Sequence, residues 1–465
     1  MNMINVRRLT VMTFLGASML SGISAQVSPL QVDTLKETKI PDQWDLQSCI
    51  DYAKEQNITI RKNRITAAST QIDVKTAKAA LFPSLSFSTG HQVVNRPYQE
   101  TSSRVSGSEI ISSNSKTSYN GNYGLNASWT LYNGNKRLKT IQQEKLNNQM
   151  AELDVATSEN NIQESIAQVY IQILYAAESV KVNENTLQVS IAQRDRGQEL
   201  LNAGSIAKSD LAQLEAQVST DRYQLVTAQA TLEDYKLQLK QLLELDGENE
   251  MNIYLPALSD ENVLAPLPTK KDVYISALSL RPEIEASKLN VEASELGIGI
   301  AKSSYLPTIS LSAGIGTNHT SGSDFTFGEQ VKNGWNNSIG LSVSVPIFNN
   351  RQTKSAVQKA KLQYETSMLS LLDEQKTLYK TIEGLWLDAN SAQQRYAAAN
   401  EKLKSTQISY ELISEQFNLG MKNTIELLTE KNNLLQAQQE QLQAKYMAIL
   451  NTQLLKFYQG DQLAL

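Results

Sequence analysis

The stretch "QELLNAGSIAKSDLAQLEAQVSTD", from Gln198 to Asp221, has a counterpart in "EQFNLGMKNTIELLTEKNNLLQAQ", from Glu415 to Gln438. Placing Gly204 on Gly420, a shift of 216 positions, puts Asn202 on Asn418, Asp210 on Glu426 and Leu211 on Leu427 without a gap. A second match lies upstream, where "SCIDYAKEQNITIRKNRITAASTQIDVKTAKAALFPSLS" runs parallel to "DVYISALSLRPEIEASKLNVEASELGIGIAKSSYLPTIS" at a shift of 224, Pro83 falling on Pro307. Repetition at nearly half the chain length indicates one large unit built twice, not a short-period solenoid. The organisation expected is 1–25 as a leader, 26–255 as the first repeat, 256–271 as a linker and 272–465 as the second repeat. Between the two matches the first repeat is eight residues longer, which places an extra polar loop, "NRPYQETSSRVSGSEIISSNSKT", in its hairpin.

Each unit is mostly helix. Neither glycine nor proline occurs from Asn135 to Arg196, from Ser205 to Asp246 or from Met421 to Gln459, and Gly384 alone interrupts Arg351 to Leu419. A continuous helix over the first of these runs would reach about 90 Å. Ile162, Ile166, Val169 and Ile173 recur at three- and four-residue steps, giving a narrow stripe suited to coiled-coil packing. Composition agrees: 41% apolar and 6% aromatic residues suit long thin helices better than thick cores. Glycine at 204 and 420 stops one helix in the left-handed conformation, and the chain returns as a helical hairpin.

Four segments have period two. "YNGNYGLNASWTLYN" alternates Tyr119, Tyr123, Leu125, Ala127, Trp129 and Leu131 with polar residues. "WNNSIGLSVSVPIFNN" alternates Trp335, Ile339, Leu341, Val343, Val345 and Ile347 with Asn and Ser, and Asn337 breaks the greasy face. Each follows a partner strand, "PSLSFSTG" with Leu85 and Phe87, and "PTISLSAG" with Ile309 and Leu311. Such strands have one apolar and one wet face. A half-buried soluble sheet would also alternate. Sustained alternation and aromatics toward the strand ends favour a membrane barrel, with Phe87, Tyr123, Leu125, Trp129, Trp335, Leu341 and Val343 on the lipid face and Val343 expected mid-strand. Four strands cannot close in lipid, where an open edge leaves backbone groups unpaired. Pooling between copies is required, and a cyclic homotrimer would supply twelve.

The N-terminal "NVRRLTVMTFLGASMLSGISAQ" has Arg7 and Arg8, an apolar run from Leu9 to Leu20 and small residues to Ala25. It reads as a secretory signal peptide, the run being too short for a membrane anchor. Net charge is −5, so no nucleic-acid footprint is expected. The single cysteine, Cys49, excludes an intrachain disulfide. His91 and His319 are placed in or beside the hairpin loops without a carboxylate cluster, as loop residues rather than metal ligands. No phosphate loop or catalytic constellation is present, so neither an enzyme nor a resident cofactor is expected.

The order helix, strand, strand, long helix, glycine tip, helix, given twice, with "ALFPSLS", "TLYNGNKR", "YLPTISLSAG" and "SVPIFNNRQT" at the joints, resembles the TolC-like outer-membrane efflux proteins. The resemblance implies a mixed α and β membrane protein: a trimeric twelve-stranded barrel in outer-membrane lipid, continuing into a helical coiled-coil tunnel across the periplasm. It implies the channel component of a tripartite efflux or type I secretion system, joined through a periplasmic adaptor to an inner-membrane pump. A secreted structural coiled coil or adhesin is the alternative, and it leaves the hairpins unexplained. Adaptor docking falls at the tips, Asn202, Ala203, Gly204 and Ser205 with Asn418, Leu419, Gly420 and Met421. The family's periplasmic gate maps onto Lys422 and Glu426, with Phe417 in place of an aromatic bearing a hydroxyl. The next acidic position is Thr429, beside Glu430, and Asp210 repeats the first acid in the other half. Lys422 and Glu426 are also four apart on one helix, where an exposed pair contributes only a few tenths of a kcal/mol.

Overall fold

The structure is a computed structural model that describes residues 41–98, 102–106, 109–113, 116–246, 251–256, 263–321 and 325–463. Residue contacts divide the chain between Asp42 and Gln43, and the body described begins at Gln43. The expected signal peptide, 1–25, lies outside the described residues, as does 257–262 of the expected linker.

The first half runs α1 (Leu46–Gln56), α2 (Ile58–Ala79), β1 (Ser84–Asn95), β2 (Ser102–Ser106), β3 (Glu109–Ser113), β4 (Thr117–Asn133), α3 (Lys136–Asn202) and α4 (Lys208–Leu242). The second runs α5 (Lys270–Leu280), α6 (Pro282–Ser303), β5 (Thr308–Thr320), α7 (Phe327–Asn333), β6 (Asn336–Ser344), α8 (Gln352–Asn418) and α9 (Thr424–Gln459). Corresponding helices have 11 and 11, 22 and 22, 67 and 67, and 35 and 36 residues. The hairpin loops differ: the first holds the β2–β3 ladder, the second the short helix α7. Gly384 lies within unbroken helix. Tertiary packing thus overrides the roughly 1 kcal/mol that glycine costs in a helix interior.

Local signals set the helix ends. The Asp45 carboxylate accepts from Ser48 N at 2.7 Å, and the Asn57 side chain accepts from Thr59 N and Ile60 N, so α1 hands over to α2 with orphan donors satisfied. Pro282 opens α6, where its missing N–H costs nothing. At both strand-to-helix joints the backbone turns through two left-handed residues, Gly134 and Asn135 in the first half, Asn350 and Arg351 in the second.

One antiparallel sheet has the order β1-β4-β5-β6, so the halves join through β4 and β5. Each strand continues into, or out of, one helix, and the helices keep that order: α2 packs on α3, α3 on α6 and α6 on α8. Farther from the sheet α3 pairs with α4, α8 with α9, and α9 lies against α3. The α4 seam repeats at 4/3 spacing through Leu214, Val218, Asp221, Leu225, Ala228, Leu232, Tyr235 and Leu239.

The main core sits partway along the long helices, where the short ones pack. Trp44, Cys49, Ile50 and Ala53 meet Ile166, Tyr170, Ile173 and Leu174 of α3 and Ala448 and Leu454 of α9. A second cluster joins Val273, Ala277 and Ile284 to Ile382, Leu455 and Tyr458. Arg281, buried between them, bridges Glu164 and Glu283 and stacks over Tyr458. Burial holds the Glu164 carboxyl above its usual range despite that guanidinium. Among the described residues no helix is long and apolar enough to cross a membrane.

Candidate channel surfaces

Residues directly opposite in an antiparallel ladder share a face, so the registers define both surfaces. One face consists of the rows Ser84–Ser128–Ser312–Gly340, Ser86–Asn126–Gly314–Ser338 and Ser88–Gly124–Gly316–Asn336. These rows carry hydroxyl, amide and glycine only. The other carries Leu85–Ala127–Ala313–Ile339, Phe87–Leu125–Ile315–Asn337 and Trp129–Leu311–Leu341. Phe87, Leu125, Trp129 and Leu341 therefore lie together, with Tyr123 in the next row, opposite Thr89 and Thr317. Ile339 is 83% exposed and Phe87 68%.

Four expectations are corrected here. A bulge between Thr130 and Tyr132 brings Tyr132, not Leu131, opposite Ile309. One extra residue reverses the parity of everything beyond it, and alternation alone cannot locate it. Val343 is not mid-strand: β6 ends at Ser344, and Val343 pairs with Ile309 beside the helical end. Pro346 has no N–H for the ladder, so Val345 and Ile347 fall outside it; Trp335 precedes β6. His91 and His319 are strand residues, flanking Gly121 from β1 and β5. There the Tyr119 hydroxyl lies 2.7 Å from His91 Nδ1, and a Cβ on Gly121 would fall 2.6 Å from His319 Nδ1.

Both tips are the same turn. Ser205 N donates to Leu200 O and Gly204 N to Leu201 O, and Met421 N to Gln416 O and Gly420 N to Phe417 O, the paired bonds of a Schellman motif. Gly204 has φ +77° and Gly420 φ +74°, with open space around each. Asn202, Ala203, Ser205, Asn418, Leu419 and Met421 are exposed around them. The two tips are level. Gln193, eleven residues before Gly204, donates to the hydroxyl of Tyr410, ten before Gly420, at 2.8 Å.

The acids repeat because each accepts from the backbone N–H of the N-cap three residues before it. Asp210 Oδ2 accepts from Ala207 N at 3.0 Å, and Glu426 Oε2 from Asn423 N at 3.1 Å. Glu426 Oε1 also takes Lys422 Nζ at 2.6 Å, and these bonds, Lys422 first, hold its carboxyl below the usual range. Phe417 is buried at 3% exposure, and Glu430 accepts from Ser409 of α8. No hydrogen bond or ion pair joins Asp210 to Lys422 or Glu426 among the described residues.

A polar cluster above the tips escaped the sequence reading. Asp221 of α4 receives Lys431 of α9 and the Ser190 hydroxyl of α3, while Gln217 donates to its other oxygen at 2.9 Å. Lys431 and Asp221 are 3% and 2% exposed, and burial pulls the ammonium below its ordinary pKa. The available signal was spacing: Asp221 sits in the α4 seam, and Lys431 falls between Leu427 and Leu434 at the same 4/3 steps.

A sheet with one apolar and one wet face continues strand by strand into helical hairpins whose tips are level. The profile described as outer membrane efflux protein matches residues 49–244 and 273–460, and the chain belongs to that family. It is 24% identical over 294 residues to the outer membrane efflux protein BepC of Brucella suis, and 24% identical over 294 residues to outer membrane protein TolC of Escherichia coli. These alignments cover 63% and 61% of this chain but only 61% and 58% of the relatives' own lengths. The solved structure of CusC superposes with a TM-score of 0.76 at 19% identity, covering 90% of this chain and 92% of that one.

Proposed function

We propose that the chain is the outer-membrane channel of a tripartite efflux or type I secretion system, acting as a homotrimer. The observation that carries this reading is the two-faced sheet with free edges at β1 and β6. In lipid those edges require partners, and three copies supply twelve strands with the Ser, Asn and Gly rows toward water. The family's channel character agrees, and an adhesin would have no use for the exposed apolar face. The duplicated units are 26–255 and 272–465, joined by 256–271, after a signal peptide at 1–25.

The tips would meet the periplasmic adaptor, and through it the inner-membrane pump, at Asn202–Ser205 and Asn418–Met421. Lys422 and Glu426, held together by their ion pair, would ring the mouth as the gate, with Phe417, Asp210 and Glu430 behind them. Threefold symmetry would bring three Glu426 carboxylates together and favour cations there. The test is reconstitution of detergent-extracted protein into planar bilayers, together with its native mass. Trimers that conduct cations, with selectivity weakened in Glu426→Gln, are expected. A monomer without conductance would refute the reading.

A further inference from the structure

The chain has 2 histidines, one in each half, and the sheet brings them over a single residue. His91 of β1 and His319 of β5 both lie opposite Gly121 of β4, so they share its face and flank it from either side. Along β4 the neighbours on that face are Tyr119 and Tyr123, and each tyrosine ring packs against both imidazoles. Four rings thus wall a well whose floor is a buried glycine. Glycine keeps the well open, because a Cβ at this position would stand 2.6 Å from His319 Nδ1 and 3.2 Å from His91 Nδ1. The shorter distance excludes carbon, yet it approaches the roughly 2.0–2.1 Å at which an imidazole nitrogen meets a divalent transition metal.

The polar atoms of the well point to a ligand beyond ring packing. His319 Nδ1 is shielded from solvent and has no hydrogen-bond partner among the described residues, which is unusual for a buried nitrogen. His91 is held at both nitrogens, Nε2 lying 3.1 Å from Thr89 Oγ1 and Nδ1 2.7 Å from the Tyr119 hydroxyl. With Nε2–H donated to Thr89, Nδ1 keeps a lone pair on the side of the well. Such support from the far nitrogen is the usual setting of a metal-bound imidazole. The spacing of Tyr119 Oη and His91 Nδ1 is also close to the about 3 Å that separates neighbouring donors around one such cation. Among the described residues no cysteine or carboxylate joins the two histidines, so Tyr119 supplies the third donor and water the fourth.

We propose that His91 Nδ1, His319 Nδ1 and Tyr119 Oη form a binding site for a divalent late transition cation, Cu2+ or Zn2+. Neutral imidazoles suit both ions, and Cu2+ should bind the more tightly. On binding, the Tyr119 hydroxyl gives its proton to water and each donor atom shares a lone pair with the cation, with no change of oxidation state. The well faces away from the Ser, Asn and Gly rows, since 91, 121 and 319 fall in step with Phe87, Leu125 and Ile315. A cation held there is therefore outside any conduit lined by those rows. It fastens β1 to β5 across β4, tying the two halves together at the end of the sheet away from the helices. In the proposed barrel that end is the outer rim; binding itself does not depend on the barrel reading.

Because the chain has no other histidine, copper spectroscopy on the full-length protein, purified without a histidine tag, tests the site directly. With one equivalent of CuCl2, electron spin-echo modulation should show the remote nitrogens of two imidazoles on one Cu2+. His91→Ala and His319→Ala should each leave one imidazole and weaken binding at least about tenfold, and calorimetric titration with ZnCl2 should follow the same order. Tyr119→Phe keeps the ring and both histidines, so it should retain the two-imidazole signal while losing about tenfold in affinity. A parent spectrum with one imidazole or none overturns the site, and this holds even where a variant fails to fold. Parent-like affinity in the double histidine variant, or in Tyr119→Phe, also overturns the three-donor assignment.

Discussion

Asp221→Ala would leave the Lys431 ammonium buried among three helices with the Ser190 hydroxyl as its one remaining partner among the described residues. Removing one member of a buried ion pair costs about 3–5 kcal/mol. The ammonium can escape by losing its proton, which from an ordinary value of 10.5 costs about 4.8 kcal/mol at pH 7 and sets a ceiling on the loss. At pH 9 the same escape costs only about 2 kcal/mol. The unfolded lysine binds the proton more tightly than the stranded one, so the variant must recover stability as pH rises. Hydrogen exchange of the amides around Ser190, Asp221 and Lys431, corrected for intrinsic rate, reads this locally. At pH 7 local opening should increase roughly 150- to 3,000-fold, and the deficit should shrink at pH 9. Asp221→Leu with Lys431→Met removes both charges and should recover most of the protection, since well-packed apolar replacements of buried pairs are often neutral or stabilising. Unchanged exchange in Asp221→Ala, or a double variant worse than the single one, would refute the reasoning.

Depth in the proposed barrel can be checked with Ile339→Arg and Val343→Arg: the first, mid-sheet, should cost about 2–4 kcal/mol per copy and abolish trimers, the second about 0–1, read as trimer yield from outer membranes. Gly420→Leu, forced to φ +74°, should leave trimers assembled while lowering export in a susceptibility assay; full export by this variant combined with Gly204→Leu would remove the docking assignment. The Glu426 carboxyl is depressed, so its contribution to the α9 cap is complete above its ordinary 4.5 and fades as pH falls through the folded value. Exchange at the Asn423 and Glu426 amides should therefore accelerate on acidification, and Glu426→Gln should lose that pH dependence.

Much of the architecture was legible because it rests on local rules. Proline at 83 and 307 ends a helix and starts a strand, the glycines at 204 and 420 turn the tips, and alternation separates the sheet's faces. What escaped was non-local or a matter of one residue. The pairing of β4 with β5 joins segments some 200 positions apart, and the bulge at Thr130 shifts parity without changing composition. The histidines were placed in loops because the apolar pattern weakens there, yet the ladders of β1 and β5 run on through His91 and His319.

The tip acids bear on how a repeated motif is weighed. Their equal distance from the glycines suggested a shared functional position, and the structure supplies a local cause for the same spacing. A Schellman turn puts the next N-cap three residues past the glycine, and a capping box puts an acid three further on. Asn423 and Glu426 form a legible box, whereas Ala207 has no side-chain acceptor, so Asp210 closes only its half from the N3 side. Equal offset therefore follows from helix chemistry alone. What distinguishes Glu426 is its second bond, to Lys422, whose counterpart at the shift of 216 is the apolar Ile206. The gate reading thus rests on Lys422, and a variant that keeps the cap while removing this lysine, Lys422→Ser, separates the two roles. Open time in single-channel records should lengthen while exchange at Asn423 stays slow; unchanged gating would reduce both acids to caps.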